Sequence, residues 1–302
     1  MNRKEFDYSA SRTSVRLIFL TILFFSLAAL GEDFYQLQRD SLYSIPPPSV
    51  RTGSAIAVGG AGESFVLLNP SGRVAIWDEL GSYRGEFNLN FARSTSPADI
   101  AGDGGTGLLV CDPFQDVIAH ISRSGAALPP ITISTEIRLE PVTFAALRDG
   151  RMLLLNRQDG DIWRLERDDK ALPLLISPRV RNFDAARLEI SPAENRLILL
   201  EGGRLRCFRL HGESIPAPKT TVSKPSGIAA TDDGVWIVGE GLEFIPFTPS
   251  ISPTKYPADT LTAWQIYPAS DVAVRGEKLL ILAADGSSFL RLTCRRISAE
   301  HP

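Results

Sequence analysis

One pattern recurs six times along this chain, and its period leaves few folds open. A short strand with an apolar anchor leads into a polar or glycine-rich turn, then a wholly apolar run, a second turn and an alternating strand. The anchors are Ile56, Ile100, Phe144, Leu188, Ile228 and Val272, separated by 44, 44, 44, 40 and 44 residues. Random hydrophobicity does not hold such a register. Units of this length that cannot bury their own faces stack against one another.

The second strand of each unit is continuously apolar: Phe65 to Leu68, Leu108 to Val110, Met152 to Leu155, Leu197 to Leu200, Val235 to Val238 and Leu279 to Leu282. Runs this short and this apolar predict strands covered on both faces, the environment of a blade between two neighbouring blades. Third strands follow as hairpins at Val74–Trp77, Val117–Ile121, Ile162–Leu165, Leu205–Phe208, Leu242–Ile245 and Phe289–Leu292. Asn69-Pro70-Ser71-Gly72, Asp159-Gly160, Gly202-Gly203 and Asp285-Gly286 supply turn chemistry between second and third strands. Fourth strands are more polar, clearest at Arg84–Leu89 and Leu172–Leu175, and no amphipathic helix is evident after the leader. The expected fold is all-β: a six-bladed β-propeller of four-stranded antiparallel blades, one domain over residues 32–302.

The last repeat runs out of sequence before its fourth strand. Leu42, Tyr43 and Ile45 precede the first anchor by about the spacing at which Phe87 and Ile133 precede theirs. An N-terminal strand is therefore expected to complete the sixth blade, close the ring and remove an exposed edge.

Repeat two reads Ala98-Asp99-Ile100-Ala101-Gly102-Asp103-Gly104-Gly105-Thr106-Gly107-Leu108-Leu109-Val110-Cys111-Asp112. It resembles the NHL repeat, in which Gly-Ile-Ala-Val-Asp and a glycine precede an apolar-Val-Ala-Asp strand, with Asp103 and Asp112 on the two acidic positions. The other five copies match only the apolar skeleton and the polar residue that ends the second strand. The resemblance is thus to a diverged NHL-type propeller over about residues 42–297. WD-repeat blades are disfavoured, because Gly-His and Trp-Asp pairs do not recur in phase.

Residues 1–31 stand apart. Arg3, Lys4, Arg12 and Arg16 precede an apolar run from Leu17 to Leu30 that ends in Ala28-Ala29-Leu30-Gly31. This is the plan of a signal peptide, since 14 positions fall short of the roughly 20 needed to span a bilayer. A secreted or periplasmic protein is expected, without a stable membrane span after cleavage; retention as an uncleaved anchor is the alternative. The chain is mildly acidic, with a formal charge of −3, and nothing marks it for nucleic acid. A monomer is expected, its partner a protein, glycan or small molecule. Cys111, Cys207 and Cys294 are odd in number and far apart, which suits buried thiols better than disulfides or a zinc site.

Two rings of positions could carry function. At the end of each second strand stands an amide or carboxylate: Asn69, Asp112, Asn156, Glu201, Glu240 and Asp285. These could bind a hard cation or a polyhydroxy ligand, or cap their own turns. Just before each anchor the copies diverge to Ala55, Asp99, Thr143, Arg187, Gly227 and Asp271, with Asp184 slightly earlier in its loop. Asp99, Asp184, Arg187, Asp271, Asp112 and Asp285 are accordingly the candidate ligand-binding residues, against the alternative of inter-blade ion pairs. No catalytic residue or metal ligand is assigned, although Ca²⁺ is a possible cofactor. His120, His211 and His301 cannot cluster at a channel mouth, which weighs against the amidating lyases among NHL-like propellers. A non-catalytic binding scaffold using the polar channel-mouth face is the expected function, with a calcium-dependent hydrolase of the gluconolactonase type as the alternative. The proline-rich segment Pro246–Tyr267, with Phe247, Tyr256 and Trp264, reads either as an aromatic contact loop or as an outer strand with its aromatics packed inward.

Overall fold

A computed structural model describes residues 33–46, 52–89, 98–103, 107–114, 117–133, 138–166, 171–173, 178–183, 186–193 and 195–298. Six four-stranded antiparallel sheets are arranged as the blades of a propeller. Blade one contains β2 (Thr52–Val58), β3 (Ser64–Asn69), β4 (Arg73–Trp77) and β5 (Tyr83–Asn88). Blade two contains β6 (Asp99–Gly102), β7 (Leu108–Cys111), β8 (Val117–Ile121) and β9 (Ala127–Thr132). Blade three contains β10 (Pro141–Ala146), β11 (Met152–Asn156), β12 (Ile162–Leu165) and β13 (Ala171–Pro173). Blade four contains β14 (Arg187–Ile190), β15 (Leu197–Glu201), β16 (Arg204–Phe208) and β17 (Ser214–Ile215). Blade five contains β18 (Gly227–Ala230), β19 (Gly234–Val238), β20 (Leu242–Pro246) and β21 (Thr254–Tyr256). In blade six, β22 (Ala269–Arg275), β23 (Lys278–Ala283) and β24 (Ser288–Ile297) are joined by β1 (Phe34–Ser44).

The expected closing strand is present, and it is longer than its apolar residues suggested. β1 pairs with β24 from Phe34↔Ile297 to Ser44↔Ser288, with one bulge between Arg39 and Ser41. Tyr35 donates its hydroxyl to Asp233 Oδ2 at 2.8 Å, tying the new strand to blade five as well. The first strands touch one another in cyclic order, β22 against β2 included, so the ring is closed.

Apolar burial follows the repeat. Second-strand residues such as Phe65, Leu108, Leu154, Leu199, Trp236 and Ile281 are completely buried. Along each first strand the side chains alternate between the two neighbouring blades. Ile56 packs toward blade six while Ala55 and Ala57 pack toward blade two. Each such inter-blade layer is a small core of its own, and each large aliphatic side chain buried there contributes roughly 1.5–3 kcal/mol.

The segment Pro246–Tyr267 departs from its sequence reading in one respect. After β21 it forms a short helix, Ala258–Ala263, where no helix was expected; six residues are too few to display an apolar period. Leu261 and Ile266 are fully buried, and Tyr256 and Trp264 pack on the same blade-five/blade-six core, 5.5 Å between ring centroids. Tyr256 and Trp264 therefore pack inward here, while Tyr267 at the end of the segment is exposed.

Candidate functional site

The first strand is the innermost strand of every blade, so its outer hydrogen-bonding edge has no sheet partner and lines the axis. Backbone amides on such an edge need acceptors when they are buried. The position before each anchor meets this need. Asp271 Oδ2 accepts from the Ile56 amide of the next blade at 3.0 Å. Asp99 Oδ2 accepts from the Phe144 amide at 3.3 Å and from the Thr143 hydroxyl at 2.5 Å. Thr143 Oγ1 in turn accepts from the Leu188 amide at 3.1 Å. β-Bulges at Gly53/Ala55, Pro141/Thr143 and Ala269/Asp271 set the entry to this position, and bulges characteristically redirect the side chain beside them.

Two of the six copies cannot accept a hydrogen bond, and a third is a cation. Gly227 leaves room instead: a Cβ there would lie 2.7 Å from Asp271 Cα and 2.9 Å from its Oδ1. Past that opening Arg187 reaches from blade four to blade six, Nε to Asp271 Oδ1 at 3.4 Å, while its Nη1 donates to the Ala186 carbonyl. Ala55 supplies nothing, and the Ile100 amide opposite it turns to Asp99 Oδ1 of its own strand at 2.9 Å.

One residue past the anchor, the six copies are Ala57, Ala101, Ala145, Glu189, Ala229 and Ala273. The single carboxylate in this alanine row accepts from the Ala230 amide of blade five. Burial, with Asp99 and Asp271 nearby, pushes Glu189 well above the ordinary carboxylate range. Asp99 is raised by burial against the pull of Arg187. Asp271 is raised by burial to about 6, again against Arg187. For Arg187 burial opposes the charge, but Asp271 and Asp99 outweigh it and hold the guanidinium charged. Arg187 thus contacts Asp271 and lies within electrostatic reach of Asp99 and Glu189, and the network is an inter-blade lock whose acids retain protons more readily than exposed ones.

Asp99, Arg187 and Asp271, singled out from sequence, are brought together here. Asp184 lies outside the described residues. Asp112 and Asp285 stand apart from the network in their own turns, Asp112 Oδ1 accepting from the Phe114 amide at 2.8 Å and Asp285 Oδ1 from the Ser287 amide at 3.0 Å. Asn156 Oδ1 likewise caps the Glu140 amide and Glu201 Oε1 the Arg181 amide, so this ring braces loops. Glu189 was not singled out, although its place in an otherwise all-alanine row was visible in the aligned repeats. Among the described residues no three His, Cys, Asp or Glu side chains come together in an arrangement that could hold a metal ion.

Several exposed groups stand on the channel-mouth face, where connections from second to third strands and from fourth to first strands emerge. Phe114 is 47% exposed and Tyr267 42% exposed. The Lys224–Glu240 pair, 2.6 Å, is also at the surface there.

No sequence family and no curated protein sequence matches the chain. Solved structures do. Virginiamycin B lyase from Staphylococcus aureus superposes with a TM-score of 0.58 at 14% identity, over 86% of this chain and 99% of that one. A gluconolactonase from Xanthomonas campestris gives 0.59 at 14%, over 84% and 89%. Nidogen, from its complex with laminin, gives 0.51 at 13%, over 69% and 80%. These likenesses establish the fold, a six-bladed β-propeller, and the fold serves enzymes and interaction proteins alike.

Proposed function

We propose that this protein is an exported, non-catalytic binding scaffold that engages a protein, glycan or small ligand on its channel-mouth face. The observation that carries the reading is the division of labour on that face. The buried carboxylates of Asp99 and Asp271 accept hydrogen bonds from neighbouring blades and face Arg187, whereas Phe114 and Tyr267 project outward among exposed polar loops. Aromatic side chains are enriched at protein recognition surfaces relative to the rest of the surface. Asp285, exposed at a turn of the same face, belongs to its polar surround, whereas Asp112 is fully buried in its turn. Export rests on the leader sequence, in which Ala29 and Gly31 suit a cut before Glu32 and Ser26 and Ala28 offer another.

A glycan array and a thermal-shift panel of soluble ligands on the mature protein test this. A bound ligand should raise the melting temperature. Phe114→Ser/Tyr267→Ser should abolish that rise and leave the unliganded melting temperature unchanged. The calcium-dependent lactonase reading makes a different demand: submicromolar calcium should stabilise the protein and support lactone hydrolysis, both lost in Asp99→Asn/Asp271→Asn. That outcome would replace the scaffold reading.

A further inference from the structure

Glu243 on β20 is only 3% exposed, yet it stands at the floor of an open groove. Its two oxygens accept from the Thr220 hydroxyl at 2.9 Å, the Thr221 amide at 2.7 Å, the Thr221 hydroxyl at 3.1 Å and Lys255 Nζ at 3.3 Å. Burial alone would raise this acid, but these donors outweigh it and hold the carboxyl below its usual range. Glu243 therefore pins the linker from blade four to blade five against β20 and β21, and it sets Lys255 in place.

The space between that linker and the turn after β20 has a volume of about 510 Å³, within the roughly 300–1,000 Å³ typical of small-molecule sites. Ile245, Pro246, Phe247, Ile251 and Pro253 form its apolar walls, and Lys219 and Lys255 stand on its lining. The guanidinium of Arg196 lies 4.5 Å from the Phe247 ring centroid. Two lysines thus share the groove with one carboxylate whose acceptor sites are already occupied, and Arg196 stacks on the Phe247 ring that forms part of its wall. Among the described residues neither Lys219 nor Arg196 has a carboxylate at ion-pair distance, on a chain whose overall charge is −3.

We propose that this groove is a second binding site, remote from the channel mouth, for a small amphipathic anion: a carboxylate or sulfonate carried on an aromatic or aliphatic body. The apolar body packs on Phe247 and the proline walls, where Pro246, Pro249 and Pro253 limit what the turn loses in conformational freedom on binding. The anionic head meets Lys219 and Lys255. A neutral ligand of the same shape leaves those ammonium groups in water and gains only the apolar contact.

Two fluorescent probes with the same rings separate these contributions in the full mature chain: 1-anilinonaphthalene-8-sulfonate and its uncharged parent, N-phenyl-1-naphthylamine. The sulfonate should bind one saturable site about tenfold or more tightly than the parent, with an affinity that falls as salt is raised. Lys219→Glu, at an exposed position, should weaken sulfonate binding about tenfold with no change in melting temperature. Phe247→Ala should weaken both probes. Equal affinities for the two probes, or sulfonate binding untouched by Lys219→Glu, would overturn the proposal. Phe114→Ser/Tyr267→Ser should leave the sulfonate site intact, so a failure here is distinguishable from a failure of the channel-mouth reading.

Discussion

Arg187 and Asp271 are 84 residues apart in sequence and belong to blades that are not neighbours, yet their side chains meet across the channel at 3.4 Å. The contact exists because the intervening blade presents Gly227 at the level where they cross. A methyl group there would collide with backbone, which cannot swing aside. Gly227→Ala is expected to cost about 2–3 kcal/mol in urea unfolding. Arg187→Met, which leaves buried carboxylates without their cation, should cost about 3–5 kcal/mol. The double variant should lose less than the sum of the two, because both remove the same contact.

Acidity should stabilise this protein over part of its range. Asp271 has a folded value of about 6 against 3.8 for the free group, so the folded state holds a proton that the unfolded state has lost between those values. Its contribution to stability is therefore gained as pH falls through 6 and is complete near pH 4, worth at most about 3 kcal/mol. Glu189 and Asp99 are raised in the same direction. Glu243 works oppositely: its folded value is depressed, and its contribution disappears as pH falls below the ordinary carboxylate range. The melting temperature should accordingly rise from pH 8 to about pH 5 and fall below about pH 4. Glu189→Gln keeps the acceptor for the Ala230 amide and removes the charge, so it should raise stability at pH 8 and flatten the acid-side gain.

Loss of β1 should open the ring. Deleting residues 34–44 strips the pairing from β24 and uncovers Leu290 and Leu292, which are completely buried in the intact blade. It also removes the Tyr35 hydroxyl from Asp233. The truncated protein should melt at a lower temperature and aggregate at micromolar concentration, as an uncovered strand edge does. Unchanged melting would refute the closure.

The three thiols should be silent in the native state. Cys111 is pushed well above the ordinary thiol range by burial and by Asp99, and burial raises Cys207 to about 11 and Cys294 to about 12. The thiolate is the reactive form. Ellman's reagent at pH 8 should therefore titrate essentially no thiol until denaturant is added, then all three.

Much of this architecture could be read from the chain because apolar burial in a propeller is local and periodic. Phe65, Leu154 and Ile281 announce buried strands wherever they are met, and the same spacing that placed Tyr43 before Ile56 located the closing strand. The helix at Ala258–Ala263 was invisible because six residues, only Leu261 of them buried, carry no period. The channel network was half legible. Asp99, Arg187 and Asp271 stood out as charges where the register demanded burial. Which of them meet depends on ring geometry, on the bulges before Thr143 and Asp271, and on the absent side chain of Gly227. Glu189 escaped notice for the opposite reason: it follows an ordinary leucine anchor, and only comparison with five alanines makes it unusual. The groove over Glu243 lies between segments with no shared pattern at all, so no periodicity could have disclosed it.

The position before the anchor has a further consequence for how the chain finds its native arrangement. Six blades of nearly equal length and similar hydrophobic layers could dock in the wrong order, or leave one out and close a smaller ring. Six different occupants, Ala55, Asp99, Thr143, Arg187, Gly227 and Asp271, make the boundaries chemically distinct. Asp99 finds a hydroxyl as well as an amide only on blade three, and Arg187 finds its counter-charge only where a glycine precedes Asp271. Blades that meet out of turn leave a buried carboxylate or guanidinium unmatched, an error large enough to reverse the docking. The channel residues thus act as addresses: the hydrophobic layers make the blades adhere, and the charges determine which blade stands next to which.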